Sequence, residues 1–194
     1  IRAMFPMYDT PFHAVTLTRS GITTHAQLNG RSVGVGPRGG TPGTYYPLML
    51  KAIGVTPSRI GYGSASDLIG QVSDGLLDCF AFAAGVPIPA FSEIETTNEV
   101  TIFGFTDAQM DAIVKELPEL SKGEIPAGTY RSQTAPIKIL GVYNFAIGHK
   151  DLPEDLVYEI VKSVMTQNAA LVQAISTAKE TVPENVTKNS FLPF

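Results

Sequence analysis

Cysteine, tryptophan and charge are all scarce in this sequence. The 194 residues contain a single Cys, Cys79, and no Trp. One cysteine excludes an internal disulfide framework and a cysteine-rich metal site. Charged residues make up only 16% of the chain, and the formal net charge is −4. This acidic balance argues against a nucleic-acid partner, because nucleic-acid binders normally carry a basic patch.

Long hydrophobic runs are also missing. No apolar run reaches the roughly 18–20 residues that a membrane helix needs, so we expect no direct membrane insertion. The first residues, Ile1–Phe5, have the residue pattern of the middle of a strand. The last residues, Ser190–Phe194, likewise break off before a structural element is complete. We therefore expect a sequence truncated at both ends, with room for a signal peptide in the precursor.

Short strands alternate with helices between Arg31 and Phe103. This order predicts an α/β fold with a mostly parallel sheet covered by helices. Ligands of such sheets bind beyond the carboxyl ends of the strands. Two loops lie at such ends, Pro37–Thr44 and Ala83–Pro87, and we expect the site there.

The first loop is rich in glycine and threonine and leads into a helix predicted from Tyr45 to Ile53. Backbone N–H groups of Gly43 and Thr44, with the hydroxyls of Thr41 and Thr44, would hold a carboxylate or phosphate at the positive end of the helix. The Gly40–Thr44 turn is therefore the predicted anion site. The alternative is an ordinary glycine-rich turn in which Thr41 caps the helix.

A dinucleotide site is the main competing interpretation of this loop. The stretch Gly34–Gly39 matches G-x-G-x-x-G. However, Gly34 falls within a predicted strand, and the next strand ends at Tyr62-Gly63-Ser64 without an acid to bind a ribose. A Walker A loop is excluded because no Gly-Lys-Ser/Thr follows. We expect no cofactor.

The sequence offers no credible catalytic or metal-binding set. The histidines, His13, His25 and His149, are scattered without a second ligand at metal spacing, and we expect solvated surface positions for them. Cys79 is expected in the core, with no nearby cation to activate it. An enzyme is therefore not expected.

Aromatic residues and the second loop complete the candidate site. Phe80 and Phe82 alternate on one strand and are expected in the core. Tyr8 lies in the turn-like segment Met7–Pro11 and is a candidate ligand residue. The loop residues Ala84, Gly85 and Val86 are the remaining candidates.

Several phrases together resemble a known family. Ser20-Gly21-Ile22, followed by Gln27–Gly36 and the glycine-threonine turn, is similar to the opening of the second lobe in periplasmic solute-binding proteins. Asp74–Phe80 resembles another of their motifs. More specific are Ala84–Ala90, Ile125–Tyr130 and Leu152–Tyr158, which in this order resemble the TAXI family. These are the substrate-binding subunits of one class of TRAP transporters, often labelled immunogenic proteins.

This resemblance implies a type II periplasmic-binding-protein-like fold of two α/β lobes. Residues 1–30 would be part of the first lobe and a hinge, and residues 31–136 a complete second ligand-binding lobe. Residues 137–194 would be a returning hinge strand and the C-terminal helices of the first lobe.

The function implied by the resemblance is capture of a small organic anion outside the inner membrane. The anion would be an amino acid such as glutamate or another carboxylate, delivered to the TRAP permease subunits for uptake driven by an ion gradient. The implied location is periplasmic or extracytoplasmic. Two alternatives stay open: an effector-sensing domain of a transcriptional regulator, and a Rossmann-like nucleotide-binding enzyme.

Overall fold

Seven strands and six α-helices, with short 3₁₀ turns between some of them, make up the described part of the chain. The computed structural model describes residues 1–188 and 193. The remaining positions, 189–192 and 194, were expected in the first lobe and lie outside the described residues. The strands are β1 Arg2–Leu17, β2 Ser32–Gly34, β3 Arg59–Gly61, β4 Cys79–Ala83, β5 Val100–Phe103, β6 Ser121–Ile125 and β7 Ile137–Gly148. The helices are α1 Thr41–Ala52, α2 Ala65–Ser73, α3 Pro89–Thr97, α4 Asp107–Glu116, α5 Glu154–Thr166 and α6 Asn168–Ala174.

The sheet is mixed. Its order is β3-β2-β4-β1-β7-β6, and β5 pairs with β1. Strand β2 is parallel to β3 and β4, whereas β1 is antiparallel to β4 and β5, and β6 is antiparallel to β7. The predicted mostly parallel arrangement holds only for the three strands that alternate with α1 and α2, because β1 enters the sheet in the opposite direction.

Contacts divide the chain into two compact units. One comprises residues 11–141, and the other comprises residues 1–10 with 142–194. These boundaries differ from the predicted ones at 30/31 and 136/137, because β1 and β7 each contribute residues to both units. The assignment of these parts to two lobes stays a prediction.

The unit of residues 11–141 has the larger core. Helices α1 and α2 pack on β4, and α2 packs on α3. Phe80, Phe91 and Val72 are fully buried in one cluster with Leu68 and Tyr130. Phe82 is half-buried against this cluster, and Cys79 is buried, so these core expectations are confirmed.

Hydrogen bonds connect the segments of the unit that contains residues 142–188. The Tyr143 hydroxyl donates to the Glu180 carbonyl at 2.8 Å, and the Thr181 hydroxyl donates to the Met7 carbonyl at 2.9 Å. Helix α5 has no buried residue. Its apolar side chains Leu156 and Ile160 are 47% and 36% exposed. Among the described residues, none of the helices has the length and apolar character to cross a membrane.

Local signals account for some elements and miss others. Thr24 caps a 3₁₀ turn, His25–Leu28, through a capping box with Gln27. The segment Met7–Pro11 is wrongly predicted as a turn: it lies inside β1, whose first residues, as expected, are extended. Strand β6 is missed, because its mostly polar, exposed residues lack a clear apolar alternation.

Candidate ligand-binding site

The two predicted loops lie side by side at one edge of the sheet. Strands β2 and β4 are parallel neighbours, with Gly34 opposite Phe80, so the turns that follow them leave the sheet at the same edge. Gly36 has φ +80° and lies against β4: a Cβ atom there would be 2.7 Å from the Phe82 ring and 3.0 Å from Pro42. Only glycine therefore permits this approach of the turn to β4 and α1.

Helix α1 begins four residues earlier than predicted. Gly40 is its N-cap residue and Thr41 its first helical residue, so Thr41 is not the cap. A side chain on Gly43 would collide with the Pro37 carbonyl oxygen, which explains a glycine inside the first helical turn. The turn and the helix start are thus pressed together through backbone atoms.

The hydrogen bonds of this turn correct one predicted donor. The Thr44 N–H donates to the Gly40 carbonyl at 2.9 Å and is not free for a ligand. Within residues 1–188 and 193, the N–H groups of Thr41 and Gly43 have no acceptor, as is usual in the first turn of a helix. The hydroxyls of Thr41 and Thr44 are exposed and make no hydrogen bond to any described residue.

One basic residue, Arg38, lies in this turn. Arg38 is exposed, and its guanidinium carbon lies 4.0 Å from the centre of the Tyr62 ring. Residues 10–66 contain no Asp or Glu, and their charged residues are Arg19, Arg31, Arg38, Lys51 and Arg59. Of these, only Arg38 lies in the turn: Arg31 and Arg59 lie at the starts of β2 and β3, away from the end where the turn leaves the sheet, and Lys51 is in the last turn of α1. An acid lies beside the helix start as well, since burial and the nearby Glu119 carboxylate raise the pKa of Tyr45.

The second loop offers backbone more than side chains. Ala84 packs against the main core cluster, and Val86 packs against the cluster of Ile125, Ile137 and Ile139. Gly85 is half-buried between them. Because the two side chains are engaged in packing, the groups left for a ligand are the loop's peptide N–H and C=O groups.

Tyr8 belongs to a different unit from the other seven candidates. It is half-buried in β1, in the unit of residues 1–10 and 142–194, and its carbonyl accepts a hydrogen bond from the Asn144 amide at 2.9 Å. The candidates Gly40, Thr41, Gly43, Thr44, Ala84, Gly85 and Val86 all fall within residues 11–141.

Two of the three histidines are buried, contrary to expectation. Burial lowers the pKa of His13 to about 3 and that of His25 to about 4, so both rings are neutral. His25 stacks on Phe105 with ring centres 3.9 Å apart. His149 is exposed, as expected. The only cysteine of the sequence, Cys79, is buried, and burial raises the pKa of its thiol.

An open groove beside β5 lies apart from these loops. In the part of the chain that the structure describes, no group of three or more His, Cys, Asp or Glu side chains could hold a metal ion. A groove of about 610 Å³ runs along Ile102–Asp107 and Ser132–Lys138 and includes none of the eight candidates. In this groove the Lys138 ammonium lies 2.5 Å from the Asp107 carboxylate, so each compensates the charge of the other.

Family comparison accounts for the whole sequence. The model of the NMT1-like family matches residues 1–194. The chain belongs to the NMT1-like family.

Solved structures resemble the NMT1-like chain at low sequence identity. The arginine-, lysine-, histidine-binding protein ArtJ from Geobacillus stearothermophilus is 12% identical with a TM-score of 0.54, over 96% of this chain and 66% of that one. A histidine-bound substrate-binding protein of an ABC uptake transporter from Streptococcus pneumoniae is 14% identical (TM-score 0.47, 87% and 58%). A substrate-binding protein of an amino acid ABC transporter is 15% identical (TM-score 0.44, 90% and 58%).

The likeness to ArtJ confirms the predicted fold class. The NMT1-like chain has the α/β architecture of periplasmic-binding-protein-like structures, with a sheet flanked by helices. It spans less than two thirds of the length of each of these three structures.

Proposed function

We propose that this NMT1-like chain belongs to an extracytoplasmic solute-binding protein that captures a small organic carboxylate. The observation that carries the proposal is the turn at the start of α1, where the N–H groups of Thr41 and Gly43, which have no acceptor among the described residues, adjoin two exposed threonine hydroxyls. The exposed Arg38 in the same turn favours an anion over a cation. An anion at this position also interacts favourably with the helix dipole.

The second loop supplies complementary groups for the rest of the solute. The peptide groups of Ala84–Val86 lie at the same edge of the sheet, because β2 and β4 are adjacent and parallel. N–H and C=O groups together suit a solute with both acceptors and donors, such as an amino acid. Tyr8 stays a candidate ligand residue that was predicted from the sequence alone.

We assign the protein, within this proposal, to the TAXI-type binding subunits of TRAP transporters. The support is the ordered set of phrases Ala84–Ala90, Ile125–Tyr130 and Leu152–Tyr158, which resembles that family. The partners would then be the permease subunits in the membrane, the location periplasmic, and the role binding rather than catalysis. A precursor signal peptide follows from that location.

Calorimetry with defined carboxylates tests the anion site. We expect L-glutamate or succinate to bind, and the uncharged glycerol to give no binding heat. Thr44→Val should weaken carboxylate binding roughly 10- to 100-fold, because a hydrogen bond to a charged group contributes about 1.5–3 kcal/mol. Thr56→Val is the matched control, since Thr56 is an exposed threonine of the same unit outside the turn. Equal affinities of the Thr44 variant and the wild type would place the anion elsewhere.

A further inference from the structure

A buried chain of hydrogen bonds ends on the loop that contains Ala84–Val86. The Ile88 N–H donates to the Tyr130 hydroxyl oxygen at 2.9 Å. That oxygen lies 2.7 Å from His13 Nε2, and His13 Nδ1 lies 3.1 Å from the Pro11 carbonyl oxygen. Ile88, Tyr130 and His13 are each at most 2% exposed. Three distant parts of the sequence therefore meet without access to water.

The direction of every bond in this chain is determined by its two ends. Ile88 N–H can only donate, and the Pro11 carbonyl can only accept. His13 must therefore carry its hydrogen on Nδ1, and the Tyr130 hydroxyl donates to Nε2 while accepting from Ile88. This arrangement satisfies every polar group in the chain and requires a neutral imidazole, in keeping with the lowered pKa of His13.

Tyr130 itself is held rigidly. Its ring packs against Phe91 and His13, with ring centres 5.8 and 5.5 Å away. The Gln133 side chain donates to the Pro126 and Ala135 carbonyls at 2.9 and 3.0 Å, and the Gly128 N–H donates to the Gln133 carbonyl at 2.9 Å. The segment between β6 and β7 is thus a braced support for the hydroxyl.

The loop from residue 84 to 88 is fixed at both ends against the same strand. At its start, Ala83 pairs with Phe12 of β1. At its end, Ile88 is the N-cap residue of α3, and its carbonyl accepts from Phe91 N–H at 3.0 Å. Among the described residues, only the Tyr130 hydroxyl bonds the Ile88 N–H, and through His13 it connects this end of the loop back to β1.

We propose that Tyr130 is the positioning residue of the candidate ligand loop: its hydroxyl fixes Ile88 and thereby sets the peptide groups that Ala84–Val86 present to the solute. The role in solute binding rests on the proposed function. The role in holding the loop does not, because it follows from the hydrogen bonds alone.

Amide hydrogen exchange of Tyr130→Phe tests the anchor. The variant keeps the ring and removes the hydroxyl, so Ile88 N–H and His13 Nε2 both lose their partner. We expect exchange at Ile88 to accelerate 10- to 100-fold relative to the β4 amides, and the Kd for L-glutamate to rise about tenfold. Tyr46→Phe is the matched control: Tyr46 is buried in the same unit, and its hydroxyl has no hydrogen-bond partner among the described residues. Its Ile88 exchange and its Kd should stay within twofold of wild type.

Several results would overturn the proposal. Unchanged exchange at Ile88 would do so, as would equal acceleration at Ile88 and across β4, because Tyr130 would then act only through overall stability. Faster Ile88 exchange with unchanged L-glutamate affinity would overturn the role in binding.

A measurement on the wild-type chain keeps the test decisive if the variant fails to fold. The ¹⁵N chemical shifts of His13 should show the neutral Nδ1–H tautomer from pH 5 to 8; an Nε2–H tautomer or a titration near pH 6.5 would refute the anchor. Wild-type protein that binds no carboxylate would refute the proposed function, while the exchange data would still decide the role of Tyr130 in the loop.

Discussion

Two buried histidines should make the protein unusually sensitive to mild acid. His13 and His25 are both 0% exposed. Burial lowers their pKa values to about 3 and about 4, whereas in the unfolded chain both titrate near the ordinary value of 6.5. Between these values the unfolded state binds protons that the folded state does not. The free energy of unfolding therefore falls as the pH drops below about 6.5.

The size of the effect follows from the two pKa values. Each pH unit below 6.5 costs about 1.4 kcal/mol per histidine, until the folded-state pKa is reached. Between pH 7 and pH 5 each histidine thus removes about 2 kcal/mol, and the pair removes about 4 kcal/mol. Domains of this size are commonly stable by about 5–15 kcal/mol, so the loss is a large share of the total.

Urea unfolding followed by circular dichroism at pH 7, 6 and 5 measures this loss. His25→Phe should halve the pH dependence, since it removes one of the two titrating groups. Phenylalanine preserves the stacking on Phe105 and eliminates Nε2, which has no partner among the described residues, at the cost of the bond to the Gly104 carbonyl. His149→Gln is the control, because the His149 side chain is 68% exposed and should leave the slope unchanged. A wild-type stability that is flat from pH 7 to 5, or a His25 variant with the wild-type slope, would refute the reasoning.

Two further predictions concern the turn and the sheet beneath it. Gly43→Ala should lower the free energy of unfolding by about 1–3 kcal/mol, because the new methyl group collides with the Pro37 carbonyl. Gly70→Ala, in open space on α2, should instead raise the free energy of unfolding by about 0.5–1 kcal/mol. Equal melting temperatures of the two variants would contradict this prediction. Asp78→Ala should cost about 1–2 kcal/mol in the same assay, because the carboxylate accepts from the Ser32 N–H at 2.8 Å and from its hydroxyl at 2.7 Å. Burial alone raises the pKa of Asp78, but the hydrogen bonds from Ser32 and the charge of Arg31 outweigh it, so the net pKa is below the ordinary value of 3.8. The stabilisation by this carboxylate is therefore present above pH 3.8 and is lost as the pH falls through the lowered pKa. The Asp78→Ala variant should lack that acid-dependent loss of stability. A variant as stable as the wild-type protein would contradict this prediction.

Elements with strong local signals could be predicted from the sequence. Ser64 accepts the Asp67 N–H and caps the start of α2, and β5 spans Val100–Phe103, both within the stretch of alternating strands and helices predicted from Arg31 to Phe103. The start of α1 could not be predicted, because Gly40–Thr44 has the composition of a turn. Its helical conformation depends on the contact between Gly43 and Pro37, which are six residues apart but adjacent in space.

Burial was harder to predict than secondary structure. His25 follows a helix-capping threonine and has polar neighbours in sequence, which favours the surface. Its environment is instead created by Phe103 and Phe105 of the β5 region, whose rings lie 5.0 and 3.9 Å away. Conversely, α5 carries apolar side chains, yet Leu156 and Tyr158 are exposed in the described chain. For His25 the deciding neighbours lie outside the local sequence.

The same distinction separates the two halves of the candidate site. The turn at Gly40–Thr44 is shaped by contacts within a short stretch, since Gly36, Pro37, Pro42 and Gly43 touch one another. A motif in the sequence therefore suffices to locate it. The loop at Ala84–Val86 is positioned by Tyr130, 42 residues beyond Ile88, and by His13, 117 residues before Tyr130. No local pattern pairs these residues, so the loop could be named from the sequence but its anchor could not.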